Sequence, residues 1–434
     1  MSDAQQPSEF EPTSVADDFE AVDVFPSAED MDLRPGADNC YKCTSCDTSC
    51  PVAEVEEDFP GPKFQGPEQW RLKRHEDVDI DDSILECSNC MRCDDACPSS
   101  VPLSQMHNTA RGEYVEKHMD KLSRNYIRNR ILSNYRTMAT IGSKVPRLAN
   151  FVMGLSITSY LGDKIMGIPS ERDVPDFATE TFRQWWKKRG GSKVSNPDKQ
   201  VAYFHGCYSN FNTVEVGKAM VRVFEEFGYE VLVPKQQCSG TPMFANGMLK
   251  DARREAEVNI RELGEAIDNG AEVIASCTSC SMSLRQEYPE LFDIEGVDEL
   301  AEHTWESLEF LRVNEDLGQA IQESEVDPQA FAYHAPCHAR NQGIDRQAVE
   351  LFRELEGVTI EDVGDSCSGI SGTYGWKSNH YETSMKIGAE MFDHMEHAEG
   401  DVGMTECPTC AMQMNHGTGY EIRHPLELLE EALV

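Results

Sequence analysis

The sequence predicts an α+β chain of several domains, in which a small, mainly helical, cysteine-bearing domain is followed by two duplicated α/β domains. Three observations predict it. Eight of the sixteen cysteines form two copies of one run, Cys40-x-x-Cys43-x-x-Cys46-x-x-x-Cys50-Pro51 and Cys87-x-x-Cys90-x-x-Cys93-x-x-x-Cys97-Pro98. The other eight recur at a near-constant offset, with Cys207 to Cys337, Cys277 to Cys407 and Cys280 to Cys410 each 130 residues apart and Cys238 to Cys367 129. Between these later cysteines, apolar runs of strand length alternate with segments of helical period, the pattern of a mainly parallel sheet with helices packed on it.

The paired runs carry the most specific chemistry. Three thiolates within seven residues wrap one corner of a cubane, whereas tetrahedral zinc is usually held by two well-separated Cys-x-x-Cys pairs. The spacing is that of a two-cluster bacterial ferredoxin, which implies two 4Fe-4S clusters and electron transfer. In that pattern the fourth cysteine of each run serves the other cluster. Cys40, Cys43, Cys46 and Cys97 are therefore expected around one centre, and Cys87, Cys90, Cys93 and Cys50 around the second. Pro51 and Pro98 are expected to turn the chain away after each crossing ligand, because a fixed φ and a missing N–H end local helix.

With 434 residues, the chain has room for two to four domains with real cores. Cysteine at 16 of 434 residues is too sparse for a disulfide scaffold. The N-terminus has neither a basic segment nor an apolar core, so no secretory signal is expected and a reducing cytoplasm fits. Net charge is -38, with 77 acidic against 39 basic residues. Residues 1 to 38 carry 11 acids and one Arg, so -28 remains elsewhere. That spread is expected of a halophilic protein from a salt-loaded cytoplasm, and it makes nucleic acid an unsuitable partner. Few apolar positions occur in 1–38, which reads as an acidic disordered tail.

In the duplicated half, Val201 to Phe204, Glu230 to Val233 and Glu272 to Ala275 read as buried strands of the first copy. Ala332 to His334, Val358 to Val363 and Val402 to Thr405 read as those of the second. Cysteines then fall at or beyond strand C-terminal ends, where open α/β sheets place ligand sites. Cys207, Cys238, Cys277 and Cys280 in one copy, and Cys337, Cys367, Cys407 and Cys410 in the other, are the candidate metal ligands. Two ferredoxin runs followed by two cysteine-rich domains resemble the iron-sulfur subunits of the heterodisulfide reductase, glycolate oxidase and lactate utilisation group. Within it, PGPKFQGPE at 60–68, VAYFHGCYSNFN at 201–212, LRQEYPE at 284–290 and CSGISGTYG at 367–375 are similar to the iron-sulfur subunits of anaerobic glycerol-3-phosphate dehydrogenases.

The resemblance implies a protein that passes electrons from an FAD-containing dehydrogenase subunit, oxidising sn-glycerol 3-phosphate to dihydroxyacetone phosphate, to a membrane quinone. It implies a peripheral position on the cytoplasmic face of the membrane, in glycerol metabolism and anaerobic respiration. The alternatives are the iron-sulfur subunit of a lactate or glycolate oxidase and a thiol-disulfide reductase like heterodisulfide reductase. One departure bears on the last: the family's paired Cys-Cys-Gly is Cys-Ser-Gly here, at Ser239 and Ser368. A serine oxygen is a poorer iron ligand. Each copy then holds one ordinary 4Fe-4S cluster, or a cluster or zinc occupies one copy alone, or the cysteines are structural. His205, His334 and His338 lie close enough to cysteines to be ligands or, more ordinarily, donors bonded to backbone.

The sign of charge reverses between Lys121 and Lys164. Lys121, Arg124, Arg128, Arg130, Arg136, Lys144, Arg147 and Lys164 face Asp163 alone, a net of +7. Ile127, Ile131, Tyr135, Met138 and Ile141 are spaced to draw an apolar stripe on one helical face, with Lys117, Lys121, Arg124 and Arg128 on another. This is the pattern of a helix at a membrane surface, with Phe177, Phe182, Trp185 and Trp186 as interfacial anchors, or of a basic face docking an acidic partner subunit. No dinucleotide or triphosphate motif occurs, and no catalytic triad or carboxylate pair stands out. The expected domains are the tail 1–38, the ferredoxin-like domain 39–120, the basic docking linker 121–198 and cysteine-rich domains 199–325 and 326–434.

Overall fold

The computed structural model describes residues 37–75, 78–400 and 402–434. The tail expected over 1–38 falls outside them but for its last two residues. Short helices Ser45–Thr48, Pro51–Val55 and Arg92–Asp95 carry the two cysteine runs, and helix α1 (Leu103–Lys117) packs beneath them. Pro51 departs from expectation: it opens a helix instead of ending one. At the first helical position its missing N–H would have had no intrahelical partner, and its fixed φ suits the helix.

The basic linker is a string of short helices, α2 (Arg124–Ser133), α3 (Tyr135–Gly142), α4 (Pro146–Met153) and α5 (Ser156–Leu161), followed by α6 (Phe182–Arg189). No described helix is long and apolar enough to cross a membrane. The expected single stripe does not form, because the chain breaks at Asn134 between α2 and α3. Tyr135 turns inward, where its hydroxyl donates to Asn212 Oδ1 at 2.7 Å.

The expected basic face is also divided. Arg128 is buried and donates to the Gly167 carbonyl and Asn379 Oδ1, Arg130 pairs with Asp251, and Arg136 donates to the Gln236 carbonyl. Phe177 and Phe182 are buried, and Trp185 and Trp186 pack against the core of the cysteine-rich domains. They are core residues, not interfacial anchors.

Each cysteine-rich copy is a four-stranded parallel sheet of the same order. The first runs β2-β1-β3-β4, from β1 (Gln200–Phe204), β2 (Glu230–Leu232), β3 (Glu272–Ala275) and β4 (Thr304–Glu306). The second runs β6-β5-β7-β8, from β5 (Glu325–Tyr333), β6 (Glu356–Asp362), β7 (Val402–Met404) and β8 (Glu421–Arg423). Strands β4 and β8 escape a reading by apolar runs because each holds a single apolar residue, Trp305 and Ile422, between polar ones. The ends of β5 and β6 shift for a related reason: the polar start of β5 is held by pairing of Glu325 with Glu356, not by burial.

Alternate residues of β1 serve opposite faces, as strand geometry requires. Val201 and Tyr203 enter one core, and Ala202 and Phe204 another. The first of these cores also takes Phe331, Tyr333, Leu426 and Leu429 of the second copy, so one face of each sheet is buried in a common core. Helix α7 (Val214–Glu226) and helix α8 (Pro425–Leu433) meet there. That shared core fixes how the cysteine-bearing ends of the two sheets meet.

A candidate chain of metal centres

The sixteen thiols line three cavities, two with four thiols each and one with eight. Cys40, Cys43, Cys46 and Cys97 line a cavity of about 20 Å3, and Cys50, Cys87, Cys90 and Cys93 line a second of about 20 Å3. Each cavity takes three thiols from one run and its fourth from the other. The backbone repeats as well: Lys42 and Thr44 have φ of 64° and 66°, and the matching Asn89 and Met91 have 59° and 61°. Left-handed non-glycine residues are costly, and their recurrence at both sites marks a loop shaped around a group. Such turns aim backbone N–H groups into a concavity that suits an anion.

The second set lies deeper than the first, in which Cys43 is exposed. His107 Nε2 donates to the Pro62 carbonyl at 3.0 Å, which turns Nδ1 toward Cys87 Sγ at 3.8 Å. Arg111 is buried and donates to the carbonyls of Cys87 and Phe244. Burial pushes the Cys87 thiol up, but Arg111 and His107 outweigh it and bring it down to about 7. Stabilised thiolates are what iron requires of its ligands.

All eight cysteines of the duplicated domains line one further cavity, of about 440 Å3. Cys207, Cys277, Cys337 and Cys407 follow β1, β3, β5 and β7 within four residues, at the strand ends where α/β sheets build their sites. Gly206, before Cys207, has φ +63°, and a Cβ there would stand 3.1 Å from Cys280 Sγ. The glycines of the two Cys-Ser-Gly motifs, Gly240 and Gly369, are left-handed at +93° and +81°. Their serines are engaged in hydrogen bonds: Ser368 Oγ lies 3.4 Å from Cys410 Sγ, and Ser239 Oγ lies 3.2 Å from Thr241 Oγ1.

Contacts join the second ferredoxin set to the large cavity and the two copies to each other across it. Cys90 of the second ferredoxin set meets Cys367 of the second copy; that contact lowers the Cys90 thiol and raises Cys367. Cys407 of the second copy meets Cys277 of the first, with Ser279 Oγ 3.6 Å from Cys407 Sγ. Within the first copy, contact with Cys238 and the Arg136 guanidinium hold the Cys207 thiol below its usual value despite burial. The second ferredoxin set thus meets the second copy, and the second copy meets the first, which reverses the two copies relative to the chain.

Two orphaned donors bear on what the large cavity accepts. His338 Nδ1 and Thr405 Oγ1 are buried, line the cavity and have no hydrogen-bond partner among the described residues. Either could donate to the sulfur of a bound cluster, which would supply the missing partner. Among the described residues, no three Cys, His, Asp or Glu side chains converge as ligands of a single ion. His205 is excluded as a ligand, since Arg183 Nε donates to its Nε2 at 2.9 Å and its Nδ1 meets the Gly206 carbonyl at 2.6 Å. His334 is fully buried with both ring nitrogens unpartnered among the described residues.

Sequence reasoning missed the contact of Cys90 with Cys367, since they lie in separate repeats. It also missed Tyr208 and Thr405, which no spacing distinguishes.

Such sets of thiols on a two-run domain and a duplicated α/β pair define an iron-sulfur electron-transfer protein. Residues 36–101 match a family model described as a 4Fe-4S dicluster domain, and 201–285 and 331–415 match one described as a cysteine-rich domain. The chain is 34% identical over 398 residues, 91% of its own length and 98% of the relative's, to the third lettered subunit of the anaerobic glycerol-3-phosphate dehydrogenase of Escherichia coli. It is 29% identical over 250 residues, 55% of its length and 47% of the relative's, to one subunit of the CoM/CoB fumarate reductase of Methanothermobacter marburgensis. To lactate utilization protein A 2 of Bacillus cereus it is 27% identical over 248 residues, 54% of its length and 99% of the relative's. The chain belongs to the family of that anaerobic glycerol-3-phosphate dehydrogenase subunit.

Proposed function

We propose that this protein is the iron-sulfur subunit of a quinone-linked anaerobic glycerol-3-phosphate dehydrogenase. It carries electrons from an FAD-containing subunit to the membrane and has no dehydrogenase activity of its own. The observation that carries the reading is the series of thiol-lined cavities that begins at the exposed Cys43 and passes through the meeting of Cys90 with Cys367 into the cavity that holds Cys207. Each set holds one 4Fe-4S cluster, with ligands Cys40, Cys43, Cys46, Cys97; Cys50, Cys87, Cys90, Cys93; Cys337, Cys367, Cys407, Cys410; and Cys207, Cys238, Cys277, Cys280. When bound, these clusters supply one-electron exchange without transfer of protons or groups. The chain's own residues hold the thiolates, bury the second ferredoxin set more deeply than the first and bring that set into contact with the duplicated domains.

The far end of the succession lies under the linker helices. Ala139, Ala149 and Met153 on their inner faces pack against Cys207 and Cys238. Their outer faces expose Leu148, Phe151, Val152, Ile157, Tyr160, Leu161 and Ile165. Isolated exposed apolar residues need no explanation, but a contiguous group of this size marks an interaction surface. Exposed Lys144, Arg147 and Lys164 beside it suit the anionic cytoplasmic leaflet. The protein thus sits peripherally on the membrane, and its acidic remainder suits a halophilic cytoplasm.

Reconstitution with the partner flavoprotein tests the reading: glycerol 3-phosphate should bleach the cluster absorbance. The second reading, a hydroxyacid-oxidising complex, draws on the likeness to lactate utilization protein A 2. It would be supported if lactate or glycolate bleached the clusters and glycerol 3-phosphate did not.

A further inference from the structure

The large cavity holds more space than its thiols account for. In each ferredoxin set four thiols enclose about 20 Å3, so the 440 Å3 cavity exceeds two such spaces about tenfold. A volume of that size falls within the roughly 300–1,000 Å3 of small-molecule sites. Its wall toward the membrane-facing helices is formed by Leu132 and Tyr135, at the junction of α2 and α3, and by Ile168 and Val174, which follow those helices in the chain. Tyr135 stacks on Tyr208 with ring centroids 5.3 Å apart, and Tyr208 directly follows Cys207.

Hydrogen bonding separates the two tyrosines. The Tyr135 hydroxyl is committed as a donor to Asn212 Oδ1. The Tyr208 hydroxyl donates to the Met412 thioether at 3.8 Å, and a thioether sulfur is a weak acceptor that a carbonyl oxygen would displace. The wall therefore combines an apolar rim, an aromatic face and one available donor beside a thiol of the last set. Val174 of this wall is itself exposed, and Ile168 follows the exposed Ile165 by three residues, so the wall reaches the surface beside the exposed apolar helices and a ligand arriving from that side is lipid-soluble.

From this juxtaposition we infer that the linker-side wall of the cavity is the docking site of a quinone headgroup, with the Tyr208 hydroxyl donating to a quinone carbonyl and Leu132 and Ile168 bounding the ring. Apolar pockets that use one or two placed donors for orientation recognise this kind of ligand, a planar ring with opposed carbonyl acceptors. The inference rests on the quinone-linked reading above and adds to it a place and residues.

Calorimetric titration of the full, cluster-loaded chain with duroquinone tests it. This quinone is fully substituted, so it does not alkylate thiols. Wild type should bind saturably; Tyr208→Phe should weaken binding about fivefold, the loss of one ordinary hydrogen bond, and Leu132→Trp should abolish it. Iron content and visible spectrum report that the variants are folded and loaded, and Ile168→Trp offers a second occluding variant should Leu132→Trp fold poorly. Wild-type affinity within about twofold in Tyr208→Phe and in both occluded variants would overturn the site. So would absence of binding to wild type.

The reconstituted complex separates the two claims. If it reduces duroquinone while the variants bind as wild type, the quinone-linked reading stands and the site lies elsewhere. If no substrate drives duroquinone reduction, that reading itself fails.

Discussion

Replacing Phe151 and Ile157 by serine should release the protein from membranes, and the size of the effect follows from their exposure. Phe151 is 66% exposed and Ile157 65%, on adjacent linker helices. Transferring a whole side chain of this kind out of water is worth ~1.5–3 kcal/mol. With two-thirds of each side chain available, immersion recovers about 1–2 kcal/mol per residue. The double variant should lose about 2–4 kcal/mol, a fall of roughly 30- to 700-fold in the partition constant at 1.4 kcal/mol per tenfold. Flotation with vesicles containing anionic lipid measures it. Lys144→Gln with Arg147→Gln should matter comparably at low salt, at about 1 kcal/mol per charge. At 1 M salt, where the Debye length is about 3 Å, that effect should vanish while the serine effect persists. Serine variants that float like wild type at both salts would refute the reasoning and show that this face covers protein.

Three further outcomes are expected. Cys50→Ala should damage the centre of the 87–93 run and Cys97→Ala that of the 40–46 run, each leaving its own run's centre intact; electron paramagnetic resonance decides, and loss of the local centre in each would sink the crossing. Phe182→Ala should cost about 3–5 kcal/mol by urea unfolding, as expected for a fully buried aromatic, without loosening membrane retention; a destabilisation under 1 kcal/mol would contradict its core position. Lys377 is buried, and burial with Arg128 and Arg111 beside it brings its ammonium down from 10.5 to about 7. From about pH 7 to 10 the unfolded chain binds this proton and the folded chain does not, so this group makes stability rise with pH by up to ~1.4 kcal/mol per unit. Lys377→Met should remove that slope, and an unchanged slope in urea unfolding across this range would contradict the assignment.

The parts of this architecture that repeat were legible as sequence. Ligand spacing in the two runs states which thiols share each ferredoxin cavity, and the 130-residue offset states which cysteines of the two copies correspond, because both are local or periodic. What escaped depends on packing between distant segments. Strand pairing, not burial, sets the start of β5, and β4 and β8 each hold a single apolar residue between polar ones, so no apolar run marks them. The stripe through Tyr135 looked continuous because helical spacing carries no sign of the break at Asn134 or of the pull of Asn212 and Tyr208. Trp185 and Trp186 sit beside a basic segment in sequence but against a shared core in space. The meeting of Cys90 with Cys367 joins two repeats that share no pattern, yet it links the ferredoxin domain to the large cavity.

That the chain holds four complete sets is the central claim, and an anaerobic reductive titration with metal analysis tests it most directly. Four 4Fe-4S centres predict about sixteen irons per chain and uptake of about four electrons. Eight irons and two electrons, with zinc accounting for the remaining thiols, would contradict it and confine electron transfer to the ferredoxin domain.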